Sequence, residues 1–397
     1  MTEDRGCPGT VSRRAQEMPS FIAMDVLETA QAMERGGAKI VHLEVGEPDF
    51  DTPPAVRRAA AQALERGETH YTHSLGLHEL RATIAAHYRA RYGADVDPER
   101  VVVTSGSSPA LFLAFASLLD PGDRVVLTNP HYASYPPFIE FPGGVPVYVP
   151  VREEEAFQFV PDEMERALAT RPKAVLVNSP ANPTGTVISG ERLEEVVARA
   201  EQAGAYVVSD EIYHGLVYEG RERSVLEFTD RAFVINGFSK LYAMTGWRLG
   251  YMIVPPEFVR PIQKIHQNFY ISANAFVQRA GIAALTETAA DVERMVATYD
   301  RRRQYMLQRL EAMGFAFRCH PTGAFYVFVN VAHLGEDSYR LAFDILEKAR
   351  VGCTPGVDFG SRGEGYLRFT YANSLENIRE GMDRLRAYLE ALGRAGA

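Results

Sequence analysis

The stretch "VVVTSGSSPALFLAFASLL" at residues 101–119 joins a short β-branched run to a turn of small polar residues and then to an apolar helical pattern. Similar apolar runs follow along the chain, separated by helical segments such as "GERLEEVVARAEQAG" at residues 190–204. Strands that are apolar nearly throughout and alternate with helices are typical of a parallel sheet covered on both faces. The sequence therefore predicts an α/β fold with a mostly parallel sheet covered by helices.

The ends of the chain predict a second, smaller unit. With 397 residues the chain exceeds the size of one simple core, so we expect two domains. We assign residues 51–290 to a large domain, and residues 21–50 together with residues 291–397 to a small α+β domain. Residues 1–20 are polar and contain Pro and Gly, so they are predicted to form a flexible N-terminal arm.

The composition restricts the partners and the compartment. The formal net charge is -9, which leaves no basic field to attract nucleic acid or an anionic membrane. Apolar runs stay shorter than the roughly 18 residues of a membrane span, and the first ten residues lack a signal-peptide core. Three cysteines, Cys7, Cys319 and Cys353, show no CxxC spacing, which favours a reducing compartment and argues against a structural metal site. We expect a cytoplasmic protein.

Polar residues follow the predicted strands at the point where each strand ends. Sheets of this kind bind ligands beyond the carboxyl ends of their strands, where such residues meet. Lys240 comes thirty residues after Asp210, which predicts a helix-and-strand return to the same edge of the sheet. The strand-end sequences are "TSGSS", "NPHY", "NSPANPTG", "SDEIY" and "FSK".

Four of these residues match the chemistry of pyridoxal 5′-phosphate (PLP). A carboxylate such as Asp210 keeps the pyridine nitrogen protonated, Tyr213 and Asn182 are donors for the ring oxygen, and Lys240 forms the Schiff base with the aldehyde. Taken singly, Asp210 and Ser239 also fit helix caps, and Lys240 fits a solvated helix start. Their combination favours the PLP interpretation.

The phosphate of such a cofactor needs donors and positive charge. A strand-to-helix turn offers backbone N–H groups and hydroxyls where a helix N-terminus favours an anion. Arg248 and Ser239 are natural additions to this turn, and Tyr132 is placed to stack on the ring face. The turn consists of Ser105, Gly106, Ser107 and Ser108.

Taken in order, the motifs resemble those of the class I/II PLP-dependent aminotransferases of PLP fold type I, which are similar to aspartate aminotransferase. The resemblance runs from about residue 20 to residue 394, nearly the whole chain. The matching motifs are "VVVTSGSSPAL", "NPHYASYP", "NSPANPTG", "SDEIY", "FSKLYAMTGWRLGY", "PTGAFYVF" and "YLRFTYA".

The resemblance implies a role for several single residues. It places the α-carboxylate of the substrate on Arg368, with the backbone of Gly46 and with Asn182 beside it. It also implies that Tyr71 reaches the phosphate of the neighbouring subunit, so a homodimer with shared active sites is expected. The implied cofactor contacts are Lys240 as Schiff-base lysine, Asp210 on the pyridine nitrogen, Asn182 and Tyr213 on the ring oxygen, Arg248 and Ser239 on the phosphate, and Tyr132 on the ring face.

The implied activity is amino-group transfer from an L-amino acid to a 2-oxo acid. The resemblance implies a ping-pong mechanism through a Lys240 aldimine and pyridoxamine phosphate. An eliminating enzyme on the same fold, such as a carbon–sulfur lyase, shares the whole site and differs in its products. A PLP-dependent regulator needs a DNA-binding domain, for which the arm is too short. A nucleotide-binding dehydrogenase lacks support because no GxGxxG follows a first strand.

One position departs from many aspartate-preferring relatives. They carry a lysine two positions past the glycine of "TSG", whereas this chain has Ser108 there. A lysine able to meet a side-chain carboxylate is therefore missing. The nearby Phe21, Ile22, Phe325 and Tyr326 leave room for a neutral or aromatic amino acid.

Overall fold

The computed structural model describes residues 11–335 and 337–395, in which strands and helices alternate through most of the chain. The strands are β1 Val41–His42, β2 Val101–Thr104, β3 Arg124–Asn129, β4 Val145–Pro150, β5 Ala174–Asn178, β6 Tyr206–Asp210, β7 Ala232–Gly237, β8 Gly250–Ile253, β9 Tyr326–Asn330, β10 Val351–Gly352, β11 Thr354–Pro355 and β12 Tyr366–Thr370. The α-helices are α1 Arg13–Glu17, α2 Ile22–Arg35, α3 Pro54–Glu65, α4 His78–Tyr92, α5 Ser107–Leu118, α6 Tyr135–Glu140, α7 Pro161–Leu168, α8 Gly190–Gln202, α9 Pro256–Phe269, α10 Ala275–Glu287, α11 Ala289–Ala312, α12 Ser338–Ala349 and α13 Leu375–Ala395.

Seven strands form the main sheet in the order β2-β8-β7-β6-β5-β3-β4. Strand β8 runs antiparallel to both of its neighbours, and the other neighbouring pairs are parallel. Every residue of β2, β7 and β8 is buried, as expected for strands covered on both faces. Helix α5 packs against β7 and β8. The predicted α/β fold with a mostly parallel sheet is confirmed.

The connection between β7 and β8 brings the chain back to the edge that it has just left. Gly237 pairs with Gly250 in antiparallel register, so residues 238–249 form a loop at the carboxyl end of β7. This loop consists of turns, and therefore Lys240 does not lie at a helix start. The predicted return after Asp210 to the same edge is made by β7, which pairs in parallel with β6, but the predicted helix is wrong, because the only helix in the described residues 211–231 is a 3-10 turn at Val225–Glu227.

The remaining strands form two small sheets away from the main one. Strands β11, β12 and β9 make an antiparallel sheet in that order, and β1 pairs in parallel with β10. Helices α12 and α2 pack together beside these sheets, and α13 packs on β1 and β10. The main sheet uses residues between 101 and 253, whereas the strands of the small sheets lie between 41 and 42 and between 326 and 370. The exact domain boundaries at residues 21, 51 and 291 stay a prediction.

The segment before α2 contains more regular structure than the sequence predicts. Helix α1 lies inside the predicted N-terminal arm, and the Ser12 hydroxyl accepts a hydrogen bond from the Ala15 N–H at its start. Residues 1–10 of that arm, with Cys7, lie outside the described residues. No helix in the described parts of the chain is long and apolar enough to cross a membrane.

Helix α2 is tied by one carboxylate to the 3-10 turn Gly356–Phe359, which follows β11. Asp358 accepts hydrogen bonds from the N–H groups of Ile22 and Ala23 at 3.0 and 3.2 Å. These two N–H groups belong to the first turn of the helix, which has no partner for them within itself. The contact therefore places Phe21 and the start of α2 beside the carboxyl edge of the main sheet.

Candidate active site

The carboxyl ends of the main-sheet strands open into a cavity of about 310 Å³. Most of the residues predicted for the site line this cavity. Ser105 and Gly106 lie behind it in the turn between β2 and α5, while Tyr71 is outside its lining and 81% exposed. The predicted residues that line the cavity are Gly46, Ser107, Ser108, Tyr132, Asn182, Asp210, Tyr213, Ser239, Lys240, Arg248 and Arg368.

Asp210 supplies a buried carboxylate at the end of β6. The Tyr135 hydroxyl donates to its Oδ2 at 2.8 Å, and the Ile212 N–H donates to its Oδ1 at 3.1 Å. Burial raises the pKa of Asp210 to about 6, although these two hydrogen bonds and the charge of Lys240 lower it. Both hydrogen-bond donors are neutral, so this carboxylate is suited to a cationic ring nitrogen. Sequence analysis missed Tyr135.

Two asparagines hold the loop that follows β5. The side-chain amide of Asn178 donates to the backbone carbonyl of Asp210 at 3.0 Å, and its Oδ1 accepts from the Asn182 N–H at 2.9 Å. Asn178 thereby fixes the position of Asn182 relative to the end of β6. Sequence analysis singled out Asn182 and missed Asn178, although both belong to the same motif.

Lys240 projects from the β7–β8 loop into the cavity. Its Nζ donates to the backbone carbonyl of Gly46 at 2.7 Å. Burial lowers the pKa of Lys240 to about 8, against the charge of Glu47, which raises it; Arg368 and Arg248 lower it further. A lysine with this pKa is partly neutral near pH 8, as an amine must be to act as a nucleophile or a base.

Arg248 lies at the far end of the same loop, against the turn that precedes α5. Gly106 has a φ of +105°, and a Cβ at this glycine would lie 2.6 Å from Nη2 of Arg248. The missing side chain therefore permits the guanidinium to approach the first N–H groups of the helix. Arg248 donates one hydrogen bond to the Thr245 carbonyl at 3.0 Å, which leaves other donors for a ligand. A helix N-terminus beside an exposed guanidinium is suited to a phosphate group.

Arg368 is held rigidly at the opposite wall of the cavity by hydrogen bonds. Its Nη1 donates to Oδ1 of Asn182 at 2.8 Å. Its Nη2 donates to the Glu44 carbonyl at 2.5 Å and to the Thr354 hydroxyl at 3.1 Å. Glu44 and Thr354 are contacts that sequence analysis missed. Because Asn182 accepts through its oxygen, its amide N–H group stays available to a ligand.

Two aromatic rings enclose the same guanidinium. The Cζ of Arg368 lies 4.4 Å from the ring centre of Tyr326 and 4.8 Å from that of Phe359. Its Nε is buried and has no hydrogen-bond partner in the described parts of the chain. A buried donor of this kind costs free energy until a partner arrives, so the site is suited to a carboxylate.

Tyr213 and Tyr132 form the aromatic part of the cavity wall. The Tyr213 hydroxyl lies 2.8 Å from the Tyr326 hydroxyl, and both tyrosines are buried. The ring of Tyr132 makes edge contacts with Phe21 and Tyr135, with centroids 6.0 and 5.3 Å apart. Sequence analysis named Tyr326 only among the residues that leave room for a neutral or aromatic substrate, and it missed the contact of Tyr326 with Tyr213.

These groups together fit pyridoxal 5′-phosphate. A carboxylate held by neutral donors, a phenol, an amide, an amine of lowered pKa and an anion site at a helix N-terminus line one cavity. The family comparison agrees with this fit, because the model named "Aminotransferase class I and II" matches residues 38–385. The chain belongs to this family.

Related proteins cover nearly the whole of this enzyme. It is 42% identical to a (5-formylfuran-3-yl)methyl phosphate transaminase of Methanocaldococcus jannaschii, over 96% of this chain and 99% of the relative. It is 40% identical to an aspartate/prephenate aminotransferase of Thermus thermophilus, over 97% of this chain and 99% of that one. A Methanococcus jannaschii structure described as similar in its active site to kynurenine aminotransferases superimposes with a TM-score of 0.88, at 41% identity, covering 96% and 100%.

The protein is therefore a PLP-dependent aminotransferase, and its substrates are amino acids and 2-oxo acids. The names of these relatives give different substrates, (5-formylfuran-3-yl)methyl phosphate in one case and aspartate or prephenate in another. The family thus establishes the reaction, while the roles of single residues and the preferred side chain have to be argued from the cavity.

Proposed function

We propose that the enzyme transfers the amino group of a neutral or aromatic L-amino acid to a 2-oxo acid by a ping-pong reaction. The charge of the cavity carries this proposal. Among the described residues that line it, the cationic side chains are Lys240, Arg248 and Arg368. If Lys240 bonds to the cofactor, Arg248 binds its phosphate and Arg368 binds the α-carboxylate, none of these three cations is left for a side-chain carboxylate.

The wall near the start of α5 supports a neutral side chain. Ser108 occupies the position where a lysine would meet a second carboxylate, and its hydroxyl carries no charge. Phe21, Met24, Leu111 and Tyr132 line the same cavity and offer an apolar surface. Transfer of a charged carboxylate to such a surface without a partner is unfavourable, whereas an aromatic ring gains from it.

The positions of the cavity side chains support an assignment of the cofactor contacts. We assign Asp210 to the ring nitrogen, Tyr213 and Asn182 to the ring oxygen, and Lys240 to the aldehyde. When bound, PLP supplies an electrophilic aldehyde and an electron-withdrawing ring that acidifies the substrate Cα–H. The phosphate is assigned to Arg248 and Ser239, to Ser105 and Gly106 of the turn before α5, and to Ser107 and Ser108 at the start of that helix, with Tyr132 against the ring face.

Lys240 moves the proton in the proposed reaction. Arg368 and the backbone of Gly46 orient the substrate carboxylate, and Asn182 joins Arg368 to the cofactor side of the cavity. The amine of Lys240, whose pKa is lowered to about 8, would accept the proton from the substrate Cα and, as an ammonium, would return it to the cofactor carbon that carried the aldehyde. Because one set of residues serves both half-reactions, the amino acid leaves as an oxo acid before the acceptor binds.

The assignment of Lys240 is tested by borohydride reduction of the PLP-loaded protein, followed by peptide mass analysis. We expect the cofactor mass on the peptide that contains Lys240 and none on the peptide of the exposed Lys264. Label on another lysine would disprove the assignment.

The preference for neutral substrates is tested by mixing the PLP form with single amino acids and following the absorbance of the cofactor. A fast response to aspartate or glutamate alone would contradict the proposal.

We also propose a homodimer in which each subunit completes the site of the other. Tyr71 is 81% exposed and lies outside the cavity of its own chain, and the surface also exposes Phe269 and Ile271. Exposed tyrosines and exposed apolar side chains are common in protein interfaces.

Two free cysteines, Cys319 and Cys353, support the further proposal of a reducing, cytoplasmic environment.

Subunit complementation tests the shared site. Mixed dimers of Lys240→Ala and Tyr71→Ala chains contain one site with both native residues only if Tyr71 acts across the interface. We expect activity of the refolded mixture to exceed that of both parents. If Tyr71 serves its own chain, every site of the mixed dimer carries one defect and the mixture gains nothing.

A further inference from the structure

We propose that Tyr326 is a positioning residue that joins the substrate-binding guanidinium to the phenol that faces the cofactor. This inference rests on the proposed function, in which Arg368 binds the substrate carboxylate and Tyr213 contacts the cofactor ring oxygen. Tyr326 is 1% exposed and comes from β9, outside the seven-stranded sheet that carries Asp210. Its contacts reach several groups of the site from the side of the smaller sheet.

The first contact is with Arg368. In the antiparallel pair of β9 and β12, Tyr326 lies opposite Thr370, and Arg368 lies opposite Phe328. Because side chains alternate along a strand, Tyr326 and Arg368 project to the same face and meet diagonally. The Arg368 Cζ lies 4.4 Å from the ring centre of Tyr326. The ring therefore forms a flat support for the guanidinium.

The second contact is with Tyr213. Their hydroxyl oxygens are 2.8 Å apart and buried, so one hydroxyl donates to the other. A phenol has a single hydrogen to donate. When Tyr213 donates to the ring oxygen of the cofactor, Tyr326 has to be the donor between the two tyrosines. Such a chain polarises the Tyr213 hydroxyl and strengthens its bond to a negatively charged oxygen.

The third contact is with Gly46. A Cβ at Gly46 would lie 1.8 Å from the Tyr326 hydroxyl, so the absence of a side chain creates the space for it. The carbonyl of the same glycine accepts the hydrogen bond from Lys240. Tyr326 thus packs on the residue that holds the amine, on the arginine and on the phenol. Movement of this ring would disturb three groups of the site together.

Two substitutions separate the functions of the hydroxyl and the ring. Tyr326→Phe removes the donor to Tyr213 but keeps the flat surface beside Arg368. Tyr326→Leu removes both. Tyr371→Phe is the matched control, because Tyr371 is equally buried and its hydroxyl lies 3.4 Å from the carbonyl oxygens of Gly323 and Ala324, outside the cavity lining.

The main readout is the absorbance of the PLP-loaded enzyme during a pH titration, which reports the apparent pKa of the lysine-bound cofactor. We expect Tyr326→Phe to raise this pKa by about 0.5 pH unit, since it weakens stabilisation of negative charge on the ring oxygen. Its KM for amino acids should stay within about twofold of wild type. Tyr326→Leu should show the same shift and a KM about fivefold higher, from loss of the contact with Arg368.

Two results would overturn the proposal. One is a Tyr326→Phe enzyme with the wild-type spectral pKa, and the other is an equal shift in Tyr371→Phe, which would indicate a general effect of losing a buried hydroxyl. A pH-dependent cofactor band and borohydride labelling of Lys240 in the wild-type enzyme are established first. Failure of that labelling rejects the proposed function, whereas failure of the spectral shift rejects only the role of Tyr326.

Discussion

Replacement of Asp210 by asparagine should stabilise the cofactor-free protein at neutral pH. The carboxylate is buried, and its hydrogen-bond donors are the Tyr135 hydroxyl and the Ile212 N–H. Neither donor carries a charge that would offset the loss of hydration. Asparagine has nearly the same shape and no charge, so Asp210→Asn removes the electrostatic penalty and disturbs packing little. The substitution also weakens one of the two hydrogen bonds to this side chain, and this loss is the same at every pH.

The size of the effect follows from the pKa of Asp210, which burial raises from an ordinary value of 3.8 to about 6. Between these values the native protein binds more protons than the unfolded chain, so the free energy of unfolding falls as pH rises. A shift of roughly two units corresponds to about 3 kcal/mol, all of it lost by pH 7. The Asp210→Asn variant avoids this loss, and its stability relative to wild type should grow by about 2 kcal/mol from pH 4 to pH 7, because the unfolded carboxyl is already partly ionised at pH 4.

Urea unfolding of the two cofactor-free proteins at several pH values measures the difference. Other titrating groups contribute equally to both proteins and cancel, and Asp120→Asn, at an exposed position, controls for a general loss of charge. A difference that stays constant between pH 4 and pH 7 would refute the reasoning. In the PLP-loaded enzyme the same substitution should lower kcat about 100-fold or more, because under the proposed assignment the ring nitrogen would lose its anionic partner.

Three further substitutions test separate parts of the cavity. Gly46→Ala forces a methyl group against the Tyr326 hydroxyl and should cost about 1–3 kcal/mol in thermal unfolding, while Gly393→Ala, which meets no neighbour and lies in α13, should stabilise by up to about 1 kcal/mol. Arg368→Lys loses the planar fork and should raise KM for amino acids about 30-fold with a smaller change in kcat, as steady-state kinetics will show. Ser108→Lys should raise kcat/KM for aspartate relative to phenylalanine about tenfold, and an unchanged ratio would reject Ser108 as a determinant of specificity.

The parts of the site that lie at the ends of parallel strands could be predicted from the sequence. A polar residue that directly follows a buried parallel strand lies at the carboxyl end of that strand. The carboxyl ends of such strands meet at one edge of the sheet, so these residues lie close together. Asp210, Asn182 and Lys240 were predicted in this way, and all three line the same cavity. The family motifs then directed attention to Arg368, which lies on a different sheet.

The contacts that sequence analysis missed come from residues that do not differ in pattern from ordinary core residues. Tyr326 lies in an apolar strand and Tyr135 at the start of a short helix, where an aromatic ring usually indicates packing alone. Only the structure shows that their hydroxyls reach Tyr213 and Asp210. The contact of Arg368 with the Glu44 carbonyl is harder still to predict, because every residue has a backbone carbonyl.

Asp210 and Lys240 together show why a cofactor suits this cavity better than the protein groups alone. Burial raises the pKa of Asp210 to about 6 and lowers that of Lys240 to about 8, so the empty site disfavours both charges. Lys240 satisfies its ammonium with the Gly46 carbonyl, and Asp210 relies on neutral donors. Under the proposed assignment, a cationic ring nitrogen would supply the positive charge that Asp210 lacks, and an aldehyde would react with the Lys240 amine, whose protonation burial disfavours. The two burial penalties thus favour the same ligand. Its binding would remove the penalty at Asp210 and the penalty at Lys240, and would be tighter for that reason.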